Sequence, residues 1–161
     1  MNRLDPLPDA EWQRVSPKYV VVDLLGILIS ALVLTAGSSV PWLVTGQIWF
    51  VALPIGMFVI HLLMAAFTPR RVRSIGYLLR DDDLVFRRGI MFLRMVAVPY
   101  GRMQLVDITR GPVTRAFGLS ELKLVTAAAS SGVTIPGLPA DDAERLRDRL
   151  VELAETRRAG L

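Results

Sequence analysis

Two long apolar runs fill most of the first half of the chain, and short alternating segments fill the second. Residues 19–36, YVVVDLLGILISALVLTA, carry one charge in eighteen positions. Residues 49–67, WFVALPIGMFVIHLLMAAF, carry none in nineteen with His61 neutral. A helix rises about 1.5 Å per residue and a bilayer core is ~30 Å thick, so about 20 apolar residues cross it. Gly37-Ser38-Ser39-Val40-Pro41 between the runs is rich in turn formers and uncharged. The pattern predicts a transmembrane helical hairpin with an external loop over residues 37–47. Pro54 is expected to bend the second helix. A cleaved signal peptide is the rival reading. Its leader would be eighteen residues with three basic and three acidic groups, long and neutral for that role, and the second run would still anchor the product.

From Ser74 the period shortens. Ile75, Tyr77 and Leu79 alternate with Gly76, Leu78 and Arg80, as in a half-buried strand. Asp81-Asp82-Asp83 reads as a turn, residues 84–88 as the next strand, and Gly89-Ile90 as its closing turn or bulge. Residues 95–98 form a strand stopped by Pro99, which lacks a ladder donor. Residues 103–109 place Met103, Leu105 and Asp107 on one side and Gln104, Val106 and Ile108 on the other. Gly111-Pro112 breaks the chain before a helical turn over residues 113–118. Leu122, Leu124 and Thr126 alternate again, and residues 133–135 make a short last strand before Pro136-Gly137. A C-terminal helix follows, with Asp141 and Glu144 at capping-box spacing. Its apolar face is Ala143, Leu146, Leu150, Leu153 and Ala154.

Charge sharpens this division. Residues 1–67 hold three basic and four acidic groups, and the remaining sixteen basic and eleven acidic groups follow. Arg14 and Lys18 precede the first span and Arg70, Arg71, Arg73 and Arg80 follow the second, whereas residues 37–47 have no basic group. The positive-inside bias therefore predicts an inner-membrane, multi-pass protein with both termini in the cytoplasm. Trp42 and Trp49 suit the outer interface and Trp12 and Tyr19 the inner one.

The same composition removes several functions. The chain has no Cys and one His among its 161 residues. That excludes disulfides, thiol nucleophiles, thiolate metal sites and any multi-histidine centre. Neither a nucleophile elbow, a phosphate loop nor a dinucleotide fingerprint occurs. The aspartate pairs at 81/83 and 141/142 sit in a turn and a helix cap, where backbone bonding favours Asp. No cofactor or metal is implied, and the expectation is a non-enzyme. Nucleic acid is not expected as a partner, since the basic half is tethered to a membrane and lacks an aromatic–basic platform.

Three groups of side chains remain as candidates. Asp23 and His61 lie inside the spans, about 6 and 9 Å from the same face at helical rise. They form either a proton-sensitive or helix-locking pair, or a snorkelling Asp23 beside a His61 bonded to Ser30 or neighbouring backbone. Gly26 and Ser30 make a small-xxx-small pattern suited to a close helix partner, the second helix or another copy of the chain. Arg70, Arg71 and Arg73 lie beside the inner leaflet, where topology alone accounts for them and anionic lipid would also attract them. Arg87-Arg88-Gly89-Ile90-Met91-Phe92-Leu93-Arg94 reads as a hairpin tip. It either touches lipid or a partner through residues such as Phe92, or it buries Ile90, Phe92 and Leu93 in the core and leaves Arg87, Arg88 and Arg94 as a solvated face.

The soluble half resembles the bacterial pleckstrin-homology (PH) domains of the YdbS-like membrane family. The resemblance runs through Tyr77-x-Leu79, Leu84-x-x-Arg87-x-Gly89 and Val98-Pro99-x-x-Arg102-x-Gln104-x-Val106. It continues through Gly111-Pro112-Val113-x-Arg115-x-Phe117-Gly118-Leu119, Leu122-x-Leu124-x-Thr126-Ala127 and Ile135-Pro136-Gly137-Leu138. One departure is Ala127-Ala128-Ala129-Ser130, where a glycine is expected soon after Thr-Ala. The resemblance implies an α+β PH-like domain, a strongly bent antiparallel sheet or partly open barrel capped by the C-terminal helix. Two preceding spans are typical of that family. Arg102, Gln104, Arg110 and Arg115 fall in the matching motifs, where they are expected to fix the 111–118 connection through backbone carbonyls rather than to contact a ligand.

The resulting organisation is a cytoplasmic segment at 1–18, a two-helix hairpin at 19–67, a basic linker at 68–73 and the PH-like domain at 74–158. The expected role is a protein- or lipid-binding or assembly module at the cell envelope. Its partner would be membrane lipid, another membrane protein or a second copy. The alternative is a subunit of a multi-protein export or envelope-resistance system.

Overall fold

The computed structural model describes residues 12–126 and 132–159. The altered Thr-Ala stretch at 127–130 lies outside the described residues. The chain divides into two compact units: residues 20–70, and the flanking residues up to Tyr19 together with those from Arg71 onward.

The first unit is helical. Helix α1 spans Lys18–Thr45 and helix α2 spans Ala52–Arg73, preceded by a 3-10 turn at Ile48–Val51. Residues 37–41 do not form the expected turn and continue α1 instead. The hydroxyls of Ser38 and Ser39 donate back to the carbonyls of Thr35 and Ala36 at 2.9 and 2.7 Å. Local polar side chains are thus satisfied within the helix, and apolar surroundings favour keeping backbone groups paired. The helix ends only at Gly46, whose N–H donates to Trp42 O at 2.8 Å. Pro54 lies in the first turn of α2, where no bond of that helix is lost, so the expected interior bend has no basis there. The proline inside α2 is Pro69. Arg70, Arg71 and Arg73, expected in a linker, occupy the last turns of α2.

Only 6% of the most apolar window of either helix is buried within the protein. A soluble core helix would be mostly covered. Leu28, Leu32, Val33, Leu43, Val44, Phe58 and Leu62 all face outward, as a hydrocarbon environment allows.

Among the described residues the second unit holds seven strands and two α-helices. They are β1 (Gln13–Arg14), β2 (Gly76–Leu79), β3 (Asp83–Arg88), β4 (Arg94–Pro99), β5 (Met103–Thr109), α3 (Pro112–Ala116), β6 (Leu119–Thr126), β7 (Val133–Pro139) and α4 (Ala140–Ala159). Sheet A runs β1-β2-β3-β4 and sheet B runs β5-β6-β7, antiparallel throughout. Helix α4 packs on β5, β6, β7 and the 3-10 turn at Tyr100–Arg102. Leu84, Val85, Tyr100, Leu122, Leu124, Ile135 and Leu150 form the dry centre.

Strand β1 was not expected. It comes from the segment before α1 and pairs with β2, Gln13 opposite Tyr77 and Arg14 opposite Gly76. Val15 is buried beside it. The domain is therefore discontinuous in sequence, with both apolar helices inserted between its first and second strands.

Three local expectations also change. A register shift between Met103 and Leu105 puts buried Met103 on the same side as half-buried Val106 and Ile108, while Leu105 faces out. The extra residue of a bulge reverses the alternation that strict period two implies. Strand β7 runs through Pro136-Gly137 to Pro139. Gly137 has φ +66, and a Cβ there would lie 2.6 Å from the Tyr19 Cβ, so the left-handed backbone and the Tyr19 side chain packed on it fix glycine at this position. Asp141 lies within the first turn of α4, and Glu144 binds Arg110 at 2.7 Å, which takes its carboxylate out of a capping box.

Candidate functional site

The β3–β4 connection leaves its apolar side chains exposed rather than buried in the core. Ile90, Met91, Phe92 and Leu93 are 47%, 87%, 87% and 60% exposed, so none is a core residue. Glycine makes the loop possible: Gly89 has φ +123, and a Cβ would fall 1.9 Å from the Phe92 carbonyl oxygen. The Gly89 N–H donates to Ser74 Oγ at 3.2 Å, and Ser74 Oγ donates to Arg71 O at 2.7 Å.

The arginines differ in their surroundings. Arg88 and Arg94 are exposed and lie directly opposite each other across the β3–β4 ladder. Like charges in that position repel. Arg87 is half-buried, with its guanidinium 4.1 Å above the Trp12 ring. Burial, then Arg14 nearby, lowers its pKa. This stacking fastens the pre-helix segment to β3 and was invisible in the sequence, because 75 residues separate the partners. A Trp12-Gln13-Arg14-Val15 alternation was the only local sign.

The opposite end of sheet A is acidic. Arg157 donates to Asp81 O at 3.0 Å and pairs with Asp82 Oδ1 at 2.6 Å. Tyr100 supports the turn from inside: its hydroxyl donates to Arg80 O at 2.8 Å and its N–H donates to Asp82 O at 3.2 Å. Burial, with Asp83 close by, pushes the Tyr100 phenol up to about 12. Among the described residues no cluster of His, Cys, Asp or Glu has the arrangement to hold a metal ion.

Other candidates are placed as follows. Arg70, Arg71 and Arg73 are exposed. His61 is buried, and its Nδ1–H donates to Met57 O at 2.7 Å, a bond to neighbouring backbone one turn earlier. That bond puts the proton on Nδ1 in the neutral ring. Asp23, on α1, is half-buried. Ser30 Oγ donates to Ile27 O at 2.9 Å rather than to His61. Among the described residues nothing lies within 4 Å of where a Gly26 Cβ would stand, so no helix packs closely on that glycine.

Of the motif residues, Arg110 acts as a clamp, but through side chains. Its Nε donates to buried Ser120 Oγ at 2.9 Å and its Nη2 to Glu144 at 2.7 Å. Arg102, Gln104 and Arg115 are exposed and make no bond of the expected kind among the described residues. A basic groove of about 480 Å³ lies between β1, β2 and α4, lined by Arg14, Tyr77, Asp142, Arg145 and Arg149 among others.

Comparison with known proteins agrees with this architecture. Residues 19–154 match the bacterial PH domain family, a span that takes in both apolar helices. The chain is 30% identical over 156 residues to the UPF0699 transmembrane protein YdbS of Bacillus subtilis (strain 168), covering 95% of this chain and 92% of that protein. No solved structure gives a significant match. With two apolar helices inserted between the first strands of a two-sheet domain closed by a C-terminal helix, the chain is a membrane protein and belongs to the bacterial PH domain family.

Proposed function

We propose that this chain is a non-enzymatic inner-membrane protein that presents its PH-like domain to the cytoplasm as a binding or assembly module. The observation that carries the reading is the β3–β4 tip: four exposed apolar side chains between two opposed arginines. Such a patch costs solubility unless something covers it. Sheets A and B would form the two halves of a partly open barrel with α4 over one end.

Topology supports the placement. β1 and β2 are hydrogen-bonded neighbours although the whole hairpin lies between them in sequence. The chain must therefore leave and return on one side of the bilayer. Arg14, Lys18, Arg70, Arg71 and Arg73 flank these crossings, while the α1–α2 connection at residues 46–47 has no basic group. The positive-inside bias assigns that shared side to the cytoplasm.

The test is crosslinking in native membranes followed by mass spectrometry, with a variant carrying Arg87→Gln, Arg88→Gln and Arg94→Gln alongside. The reading expects a membrane protein, a second copy or anionic lipid to be captured by the native chain and lost in the variant. Equal capture of nothing specific by both chains contradicts it.

A further inference from the structure

The register of sheet A fixes the end at which the tip stands. Arg14, the last residue of β1, lies opposite Gly76, the first of β2. Gly76 lies opposite Arg87, and Arg88 opposite Arg94. The chain leaves Arg14 toward α1 and returns from α2 into Gly76. Both covalent links to the hairpin thus depart from the end of the sheet that bears the tip. Adjacent strands are ~4.8 Å apart, so the four strands at that end span only about 15 Å. Ser74, the first residue after α2, holds the tip's Gly89 N–H.

The tip's chemistry selects its occupant. Residues 90–93 contain no polar side chain, and the flanking Arg88 and Arg94 carry charge of one sign. Four side chains fall well short of the ~800 Å² per partner that a stable protein interface buries. They suffice for shallow insertion at a bilayer surface, where apolar residues enter the acyl boundary and basic ones meet anionic headgroups. The far end of the same sheet is acidic at Asp81 and Asp82, which disfavours the reverse orientation against such a surface.

We infer that the β3–β4 tip docks into the interfacial layer of the bilayer that holds the hairpin, with Arg88 and Arg94 on anionic lipid headgroups. The inference rests on the binding-module reading and names its ligand: a lipid surface bearing negative charge.

The chain has no native Cys, so single-cysteine variants report cleanly. Met91→Cys, Phe92→Cys and, at the far end, Asp81→Cys are labelled with an environment-sensitive dye in the full chain. Each is reconstituted into vesicles of phosphatidylcholine with phosphatidylglycerol, and of phosphatidylcholine alone, with nitroxide-bearing lipids as quenchers. Labels at 91 and 92 should be quenched at a depth of ~5–10 Å, and the label at 81 should stay in water. Each of Arg88→Gln and Arg94→Gln should lower the docked-to-undocked ratio about fivefold. Labels at 91 and 92 as wet as the one at 81 in anionic vesicles overturn the inference. Equal quenching with and without anionic lipid overturns the role given to the arginines. Labels that are dry in native membranes but wet in lipid-only vesicles overturn the lipid assignment and leave the binding-module reading standing. Labels that are wet in both contradict the two together.

Discussion

At the β2–β3 turn of sheet A, aspartates are held by their own domain: Arg157 reaches Asp82 and the Asp81 carbonyl, and Tyr100 binds the Arg80 carbonyl from the core. At the β3–β4 tip of the same sheet, four apolar side chains stand in the open and two arginines oppose each other. One end has Asp82 and two turn carbonyls held by groups of the same domain. The other keeps exposed apolar area and two directly opposed arginines. A domain tolerates such a cost where a partner surface removes it, which the proposed docking of the tip would do.

The contrast can be broken most severely at Tyr100. Tyr100→Ala should cost about 3–5 kcal/mol through cavity formation, read from urea unfolding of the full chain in detergent. High pH should act on the same group more gently. Its phenol is held neutral up to about 12 when folded, against ~10 when unfolded. The folded state thus keeps a proton that the unfolded state releases. Stability from this source is complete below pH ~10, falls as pH rises through the folded value, and amounts to about 2–3 kcal/mol. Tyr100→Phe should flatten that alkaline loss.

At the tip, Gly89→Ala forces a Cβ against the Phe92 carbonyl. It should cost about 1–3 kcal/mol and rearrange residues 90–93, seen as shifted tip resonances. Arg157→Ala removes an exposed ion pair and should change stability by about 1 kcal/mol or less. Smallest of all, Met91→Ser with Phe92→Ser should leave stability within ~0.5 kcal/mol, since both side chains already face water in the domain. The same pair should nevertheless abolish docking. A large stability loss from that pair would mean the tip is structural after all.

Much of this layout was legible in the chain. Residues 103–109 and 122–126 announced strands by alternation, residues 84–88 by a short apolar run beside a turn, and the Ala143–Leu146–Leu150–Ala154 stripe announced the closing helix. What was missed depends on distance in sequence. Strand β1 is two residues long and has meaning only beside β2, some sixty residues on. The bulge after Met103 is set by pairing with β6, and the Arg110–Glu144 clamp by α4 packing on the sheet. The serines at 38–39 read as a turn because side-chain hydroxyls and glycine favour turns in water, whereas in α1 those hydroxyls bond the helix's own carbonyls. The tip's residues were all visible, but exposure is a property of three dimensions: an Ile-Met-Phe-Leu run reads equally as core.

The most direct measurement compares two cysteines in inverted membrane vesicles, Phe92→Cys at the tip and Asp81→Cys at the acidic turn, each treated with a membrane-impermeant maleimide before and after detergent. The account predicts that position 81 reacts quickly in both conditions, whereas position 92 reacts slowly in intact vesicles and recovers once detergent strips the membrane. Equal rapid reaction at both positions in intact vesicles would mean that nothing covers the tip, and no reaction at 81 until detergent is added would place the domain on the other face of the membrane. Either result contradicts the claim.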